Sequence, residues 1–176
     1  MPGGSLKLRG RVRAVMGDNV DTDIIYPGRY LNITDREKTA EHLFELACPD
    51  IRAALLPGEF IVAGRNFGCG SSREQAAAAL KFAGAGAVIA GSFARIFFRN
   101  AINLGLPAVV APDAMAGCAA GDEVEVDLVS GEIHNLTQGT RLAAAPLDER
   151  AAGLLAAGGL IPYLKGRYAV PGGAHA

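Results

Sequence analysis

Residues 60–74 read Phe-Ile-Val-Ala-Gly-Arg-Asn-Phe-Gly-Cys-Gly-Ser-Ser-Arg-Glu, and an alanine-rich run follows directly. The apolar run at 60–63 reads as a strand, and it enters a loop punctuated by Gly64, Gly68 and Gly70. Glycine permits positive φ and lets other groups approach the backbone closely. Ser71 with Glu74 three residues on has capping-box spacing, which predicts a helix beginning at Ser71. A strand, an open loop and a helix N-terminus then present free N–H groups, two hydroxyls and one guanidinium together, an arrangement suited to a carboxylate or another oxyanion. The competing reading is a purely structural cap. Arg73 weighs against it, because a cation in the first turn opposes the helix dipole. Ser72 is not needed for capping, and residues 66–69 make the loop longer than a tight strand-to-helix turn requires. The corner is therefore read as an anion-binding site.

Outward from that corner, apolar and turn-forming residues alternate regularly. Residues 7–15 alternate roughly basic and apolar and predict an opening strand. A carboxylate-dense turn follows at 17–23, then Pro27-Gly28 marks another turn. Helical spacing over 39–47 ends at Pro49, and a helix over 74–83 stops at Gly84 and Gly86. Short buried strands are expected at 87–90 and 108–111, with a helix over 93–104 between them. Residues 123–129 and 132–136 predict a β-hairpin around Ser130-Gly131. A last helix spans 147–157, and the short apolar run 160–164 follows Gly158-Gly159. Strands separated by helices, with a hairpin afterwards, give a compact three-layer α/β domain.

The 176 residues suffice for one domain, here taken as 1–176, with 166–176 as a C-terminal tail. Lys+Arg of 17 against Asp+Glu of 18 gives a net charge of -1, and no basic patch argues for nucleic acid. Apolar runs fall short of a membrane span and the N-terminus is no secretory signal, so a cytoplasmic location is expected. Cys48, Cys69 and Cys118 are odd in number and widely spaced, which speaks against a disulfide framework or a complete metal site. Asp18, Asp21 and Asp23 lack the further oxygen ligands of a calcium loop, and hydrogen bonding to loop amides is the expected role. His42, His134 and His175 show no ligand spacing. Arg29 is either solvated or, if its loop folds over the Ser71 corner, a second cation for a multi-carboxylate substrate. Arg95 and Arg99 share a helix face at i and i+4, where solvent exposure is the default.

Four segments taken together resemble one family: 18–25 (Asp-Asn-Val-Asp-Thr-Asp-Ile-Ile), 27–31 (Pro-Gly-Arg-Tyr-Leu), 64–74, and 92–101 (Ser-Phe-Ala-Arg-Ile-Phe-Phe-Arg-Asn-Ala). In this order they resemble the small subunits of 3-isopropylmalate dehydratases, the separately encoded swivel domain of the aconitase superfamily. The likeness covers the chain to about residue 164. It implies an α/β fold, a three-layer swivelling β/β/α domain of the aconitase C-terminal type, and a hydro-lyase active only with a large partner subunit. That partner would hold a [4Fe–4S] cluster as Lewis acid for the leaving hydroxyl, and this chain would bind no metal. Ser71 would be the base, as an alkoxide, with Ser72, Arg73 and Arg29 on the carboxylates of a small di- or tricarboxylate substrate. A mobile substrate loop at about 27–38 would place Asn32 and Ile33 against the substituent at carbon 3. Asn32-Ile33, a neutral amide and an apolar surface, points to an alkylmalate. First comes isomerisation of 3-isopropylmalate to 2-isopropylmalate in leucine biosynthesis; the alternatives are a dimethylmalate- or homoaconitate-type enzyme, or a non-catalytic binding module. Gln75 stands where many relatives carry histidine.

Overall fold

Seven strands form one curled sheet in the computed structural model, which describes residues 6–168. They are β1 (Lys7–Met16), β2 (Phe60–Ala63), β3 (Ala87–Ala90), β4 (Ala108–Val110), β5 (Glu123–Asp127), β6 (Glu132–Asn135) and β7 (Thr140–Ala143). Their order across the sheet is β4-β3-β2-β1-β5-β6-β7. Strands β4 to β1 are parallel and β1 with β5 to β7 antiparallel. All four residues of β2 and of β3 are buried, as parallel strands covered on both faces require. The first half of β1 pairs with β5 and the second half with β2, with a register shift between Val12 and Ala14. The sheet turns at that irregularity, as bulged strands do.

The helices are α1 (Thr22–Ile25), α2 (Arg36–Glu41), α3 (Pro49–Ala54), α4 (Glu74–Phe82), α5 (Arg95–Asn103), α6 (Ala114–Gly117), α7 (Glu149–Ala157) and α8 (Leu160–Tyr168). Alternate side chains of the parallel strands enter two separate cores. Ile61, Ala63, Val88 and Ala90 pack against α4, α5 and α7 together with Leu43 and Phe44. Phe60, Val62, Ala87 and Ile89 face the other way, onto Val124, Val126 and Ile133 of the antiparallel half. The result is a helix layer, a parallel layer and an antiparallel layer, the β/β/α stack that the resemblance implies.

Four local expectations are corrected. The Ser71 capping box does not form: α4 begins at Glu74, with Arg73 at the N-cap and no side-chain capping bond. The helix expected over 39–47 runs instead from Arg36 to Glu41, where Asp35 caps it through the Lys38 amide; Phe44, at φ 54, then breaks the path. Pro49 opens α3 rather than closing a helix, because the first turn has no use for the missing N–H. The apolar run after Gly159 becomes α8, which extends to Tyr168 and absorbs the start of the expected tail. Residues 1–5 and 169–176 lie outside the described residues.

Candidate active site

The loop from Arg65 to Ser72 is strung between two other segments of the chain. On one side Asn19 N–H donates to the Arg65 carbonyl (2.8 Å), Gly68 N–H to Val20 (2.7 Å) and Thr22 N–H to the Cys69 carbonyl (2.8 Å). On the other side Phe67 N–H donates to Ser92 (3.0 Å) and Ala94 N–H returns to Phe67 (2.9 Å). Asp18 accepts from the Arg65 amide at 2.6 Å, and Ser92 Oγ accepts from the Asn66 amide at 2.8 Å. The rings of Phe67 and Phe97 meet edge to face at 5.2 Å, and Phe93 stacks on Phe97 at 6.1 Å. Gly68, at φ +78, lies so close to Phe97 that a Cβ would sit 2.2 Å from its ring. Three of the four segments quoted above thus converge to hold one loop. The aspartates serve loop amides: Asp21 caps α1 through the Ile24 amide, and Asp23 accepts from Gly28 N–H at 3.2 Å.

Beyond this anchorage the chain opens a cleft of about 550 Å³ lined by Gly68, Gly70, Ser71, Ser72, Arg95 and Arg99, with Ala94 and Ile96. That size suits a small molecule. Ser71 and Ser72 are exposed, and neither hydroxyl has a hydrogen-bond partner among the described residues. Arg95 and Arg99 pair with no carboxylate among the described residues. No acidic side chain occupies the first turn of α5, so Arg95 stands at a helix N-terminus against the dipole. These two arginines are exposed, as expected, and they are the cations that line the cleft with Ser71.

The arginines expected there are engaged elsewhere. Arg73, largely buried, forms an ion pair with Asp23. The Arg73 hydrogen bond is the main cause holding the Asp23 carboxyl below its usual range, against partial burial. Backbone closes over this pair, since a Cβ at Gly28 would stand 3.0 Å from the Arg73 guanidinium. Arg29 turns to Glu45 (3.3 Å) and lies 4.8 Å over the Tyr30 ring. Glu45 also accepts from the Tyr30 hydroxyl at 3.0 Å and faces His42 at 2.9 Å, while Tyr30 stacks on His42 at 3.6 Å. Burial pushes the Glu45 carboxyl up, but the bonds from Tyr30 and His42 and the Arg29 charge outweigh it, and the net shift is downward. Asn32 is exposed, and Ile33 lines a second cavity of about 210 Å³ with Ala78, Phe82 and Leu104. Arg29, Asn32, Ile33 and Arg73 do not line the Ser71 cleft. Gln75 donates to the Leu31 carbonyl at 3.2 Å, so it tethers the 27–38 segment to α4.

Among the described residues no three His, Cys, Asp or Glu side chains group to hold a metal ion. Cys48, Cys69 and Cys118 are free thiols, and burial, with Asp122 nearby, pushes Cys118 up to about 11. That donor set does not fit an iron–sulfur cluster, which needs converging thiolates. No helix among the described residues is long and apolar enough to cross a membrane.

A serine-bearing loop hung between the ends of parallel strands, in a β/β/α stack, defines a domain of the aconitase C-terminal class, and residues 56–113 match that domain's family model. The chain is 55% identical over 148 residues to a 3-isopropylmalate dehydratase small subunit of Moorella thermoacetica, covering 84% of this chain and 89% of that one. It is 52% identical over 159 residues to a methanogen homoaconitase small subunit of Methanothermobacter thermautotrophicus, covering 90% and 91%. The crystal structure of a 3-isopropylmalate dehydratase from Methanocaldococcus jannaschii superposes with a TM-score of 0.85 at 44% identity, covering 92% of this chain and 95% of that one. The chain belongs to the 3-isopropylmalate dehydratase small-subunit family.

Proposed function

We propose that this chain is the small subunit of a heteromeric hydro-lyase that isomerises an alkylmalate, 3-isopropylmalate first, with Ser71 as the base at carbon. The observation that carries this reading is the cleft itself: two unpartnered serine hydroxyls and two unpaired arginines line it together. A dicarboxylate brings its negative groups to the arginines and its C–H to the serine, while Ala94 and Ile96 offer the alkyl group an apolar wall. The Ser71 alkoxide is not stabilised as a helix cap, because α4 starts three residues later; the cationic wall supplies the compensating charge. Arg73 and Ser72 contribute to carboxylate binding once Asp23 is displaced. Arg29, Asn32 and Ile33 do so if the 27–38 segment swings over the cleft. The iron–sulfur cluster belongs in this reading to a large partner subunit, where it supplies a Lewis acid, and no step runs through the cysteines of this chain. The similarity to a homoaconitase small subunit supports a second substrate class, a tricarboxylate acid.

Reconstitution with the large subunit tests the reading. Ser71→Ala is expected to abolish turnover of isopropylmalate, a loss of at least about 10³-fold in kcat, while assembly and substrate binding persist. Substantial residual turnover would remove Ser71 as the base. Faster turnover of homoaconitate than of isopropylmalate would move the substrate to the second class.

A further inference from the structure

The Thr22 hydroxyl is the one buried side-chain polar atom among the described residues that has no hydrogen-bond partner. Thr22 is 2% exposed, so no solvent reaches the group. An unmade hydrogen bond in such a place is destabilising, and native chains keep few of them. Its location gives the reason. Thr22 N–H already donates to the Cys69 carbonyl, and Asp21 forms a parallel bridge to Cys69. The next loop residue, Gly70, has φ +93, and a Cβ there would stand 3.4 Å from Thr22 Oγ1 and 3.9 Å from its amide nitrogen. The orphaned hydroxyl therefore lies beside Gly70, which directly precedes Ser71. Asp21 and Asp23, its neighbours in the chain, are occupied: Asp21 caps α1, and Asp23 holds Arg73 and the Gly28 amide.

We propose that Thr22 is a positioning residue for Ser71, its hydroxyl donating to Ser71 Oγ in the working conformation of the loop. The inference rests on the reading of Ser71 as the base. A serine base needs a donor that favours the oxyanion over the neutral hydroxyl, and the amides of α4 do not supply it. A buried donor does so more strongly than an exposed one, because no water competes for it. Only Gly70 lies between Ser71 and Cys69, whose carbonyl Thr22 N–H holds, and a glycine there lets the backbone turn Ser71 Oγ toward Thr22. In the free chain the hydroxyl waits unpaired, and the bond it lacks is made when the loop takes its catalytic form.

Thr22→Val removes the hydroxyl and keeps the shape, and Thr22→Ser keeps the hydroxyl. Both are measured by urea unfolding of the isolated chain and by steady-state turnover of isopropylmalate after reconstitution with the large subunit. Thr22→Val is expected to unfold at the wild-type urea midpoint or higher. Its kcat is expected to fall about 10- to 100-fold with KM within about twofold. Thr22→Ser is expected to recover kcat to within about threefold of wild type. The inference is overturned if Thr22→Val keeps wild-type kcat, if Thr22→Ser is as impaired as Thr22→Val, or if Thr22→Val lowers the unfolding midpoint, which would mean that the hydroxyl already had a partner. Wild-type chain that assembles with the large subunit yet turns over no dicarboxylate would instead overturn the hydro-lyase reading, and this inference with it.

Discussion

Gly68→Ala should damage this protein more than its size suggests, and the loss can be worked from two separate causes. The first is the backbone: Gly68 holds φ +78, where a residue with a Cβ pays about 1–2 kcal/mol. The second is space. The new carbon would lie 2.2, 2.5 and 2.6 Å from three atoms of Phe97, all well inside contact distance. Phe97 cannot retreat, being 2% exposed and wedged between Phe67 and Phe93. Overpacking of this kind costs about 1–3 kcal/mol more. The sum is roughly 2–5 kcal/mol, or a fall in Tm of roughly 5–15 °C for a domain of this size. Urea unfolding of the isolated chain followed by far-ultraviolet circular dichroism measures it. Gly58→Ala is the matched control: its φ of +86 is comparable, yet nothing lies within 4 Å of the added carbon. The control should lose only the backbone part. If the two variants lost equal stability, or if Gly68→Ala lost under about 1 kcal/mol, the packing of the Ser71 loop on α5 would not be what holds it.

Two further outcomes follow from the ion pairs. Glu59, 6% exposed, accepts two bonds from Arg13 at 2.6 and 2.8 Å and one from the Leu56 amide. The Arg13 bond is the main cause that holds its carboxyl below the usual 4.5 despite burial. Its folded value is thus below its unfolded one, so its contribution is full above about pH 4.5 and disappears as pH falls through the folded value. Glu59→Gln should lower stability at neutral pH and flatten the acid limb of the stability–pH curve; an unchanged acid limb would assign that limb to other carboxylates. Asp23→Asn should free Arg73 and raise the affinity of the isolated chain for malate about two- to fivefold at low salt, the worth of an ion pair whose carboxylate is exposed. Calorimetry showing equal or weaker binding would mean that Asp23 positions Arg73 instead of competing for it.

Much of this was legible in the chain because its signals were local. The buried runs at 60–63, 87–90 and 108–110 declared themselves by apolar composition, and the hairpin around Ser130-Gly131 by alternation. Strand β7 gave no such signal: Thr140, Arg141 and Ala143 are exposed, and only pairing with β6 makes the segment a strand. The Ser71–Glu74 spacing pointed to a cap that the loop's tethering to Val20 and Ser92 overrides. At the site, Ser72 was legible as a hydroxyl that a cap would not need, whereas Ser71 was read as the cap itself, a role it does not take. The occupation of Arg29 by Glu45 was not, since their contact depends on how residues 30–45 fold back, with Tyr30 stacked on His42. The unpaired state of Arg95 and Arg99 was equally hidden, because sequence reveals a charge and not its neighbours.

If Arg73 binds a substrate carboxylate as proposed, its ion pair with Asp23 would also act as a filter on what can enter. An incoming carboxylate that takes Arg73 must first evict one already in place, so it exchanges like for like and gains little from that contact alone. A monoanion such as acetate therefore finds no net reward there. A ligand with two carboxylates can engage Arg95 or Arg99 at no such cost and spend that gain on displacing Asp23. On that reading, discrimination between mono- and dicarboxylic acids would arise from a competitor built into the chain, without any group that repels the wrong acid.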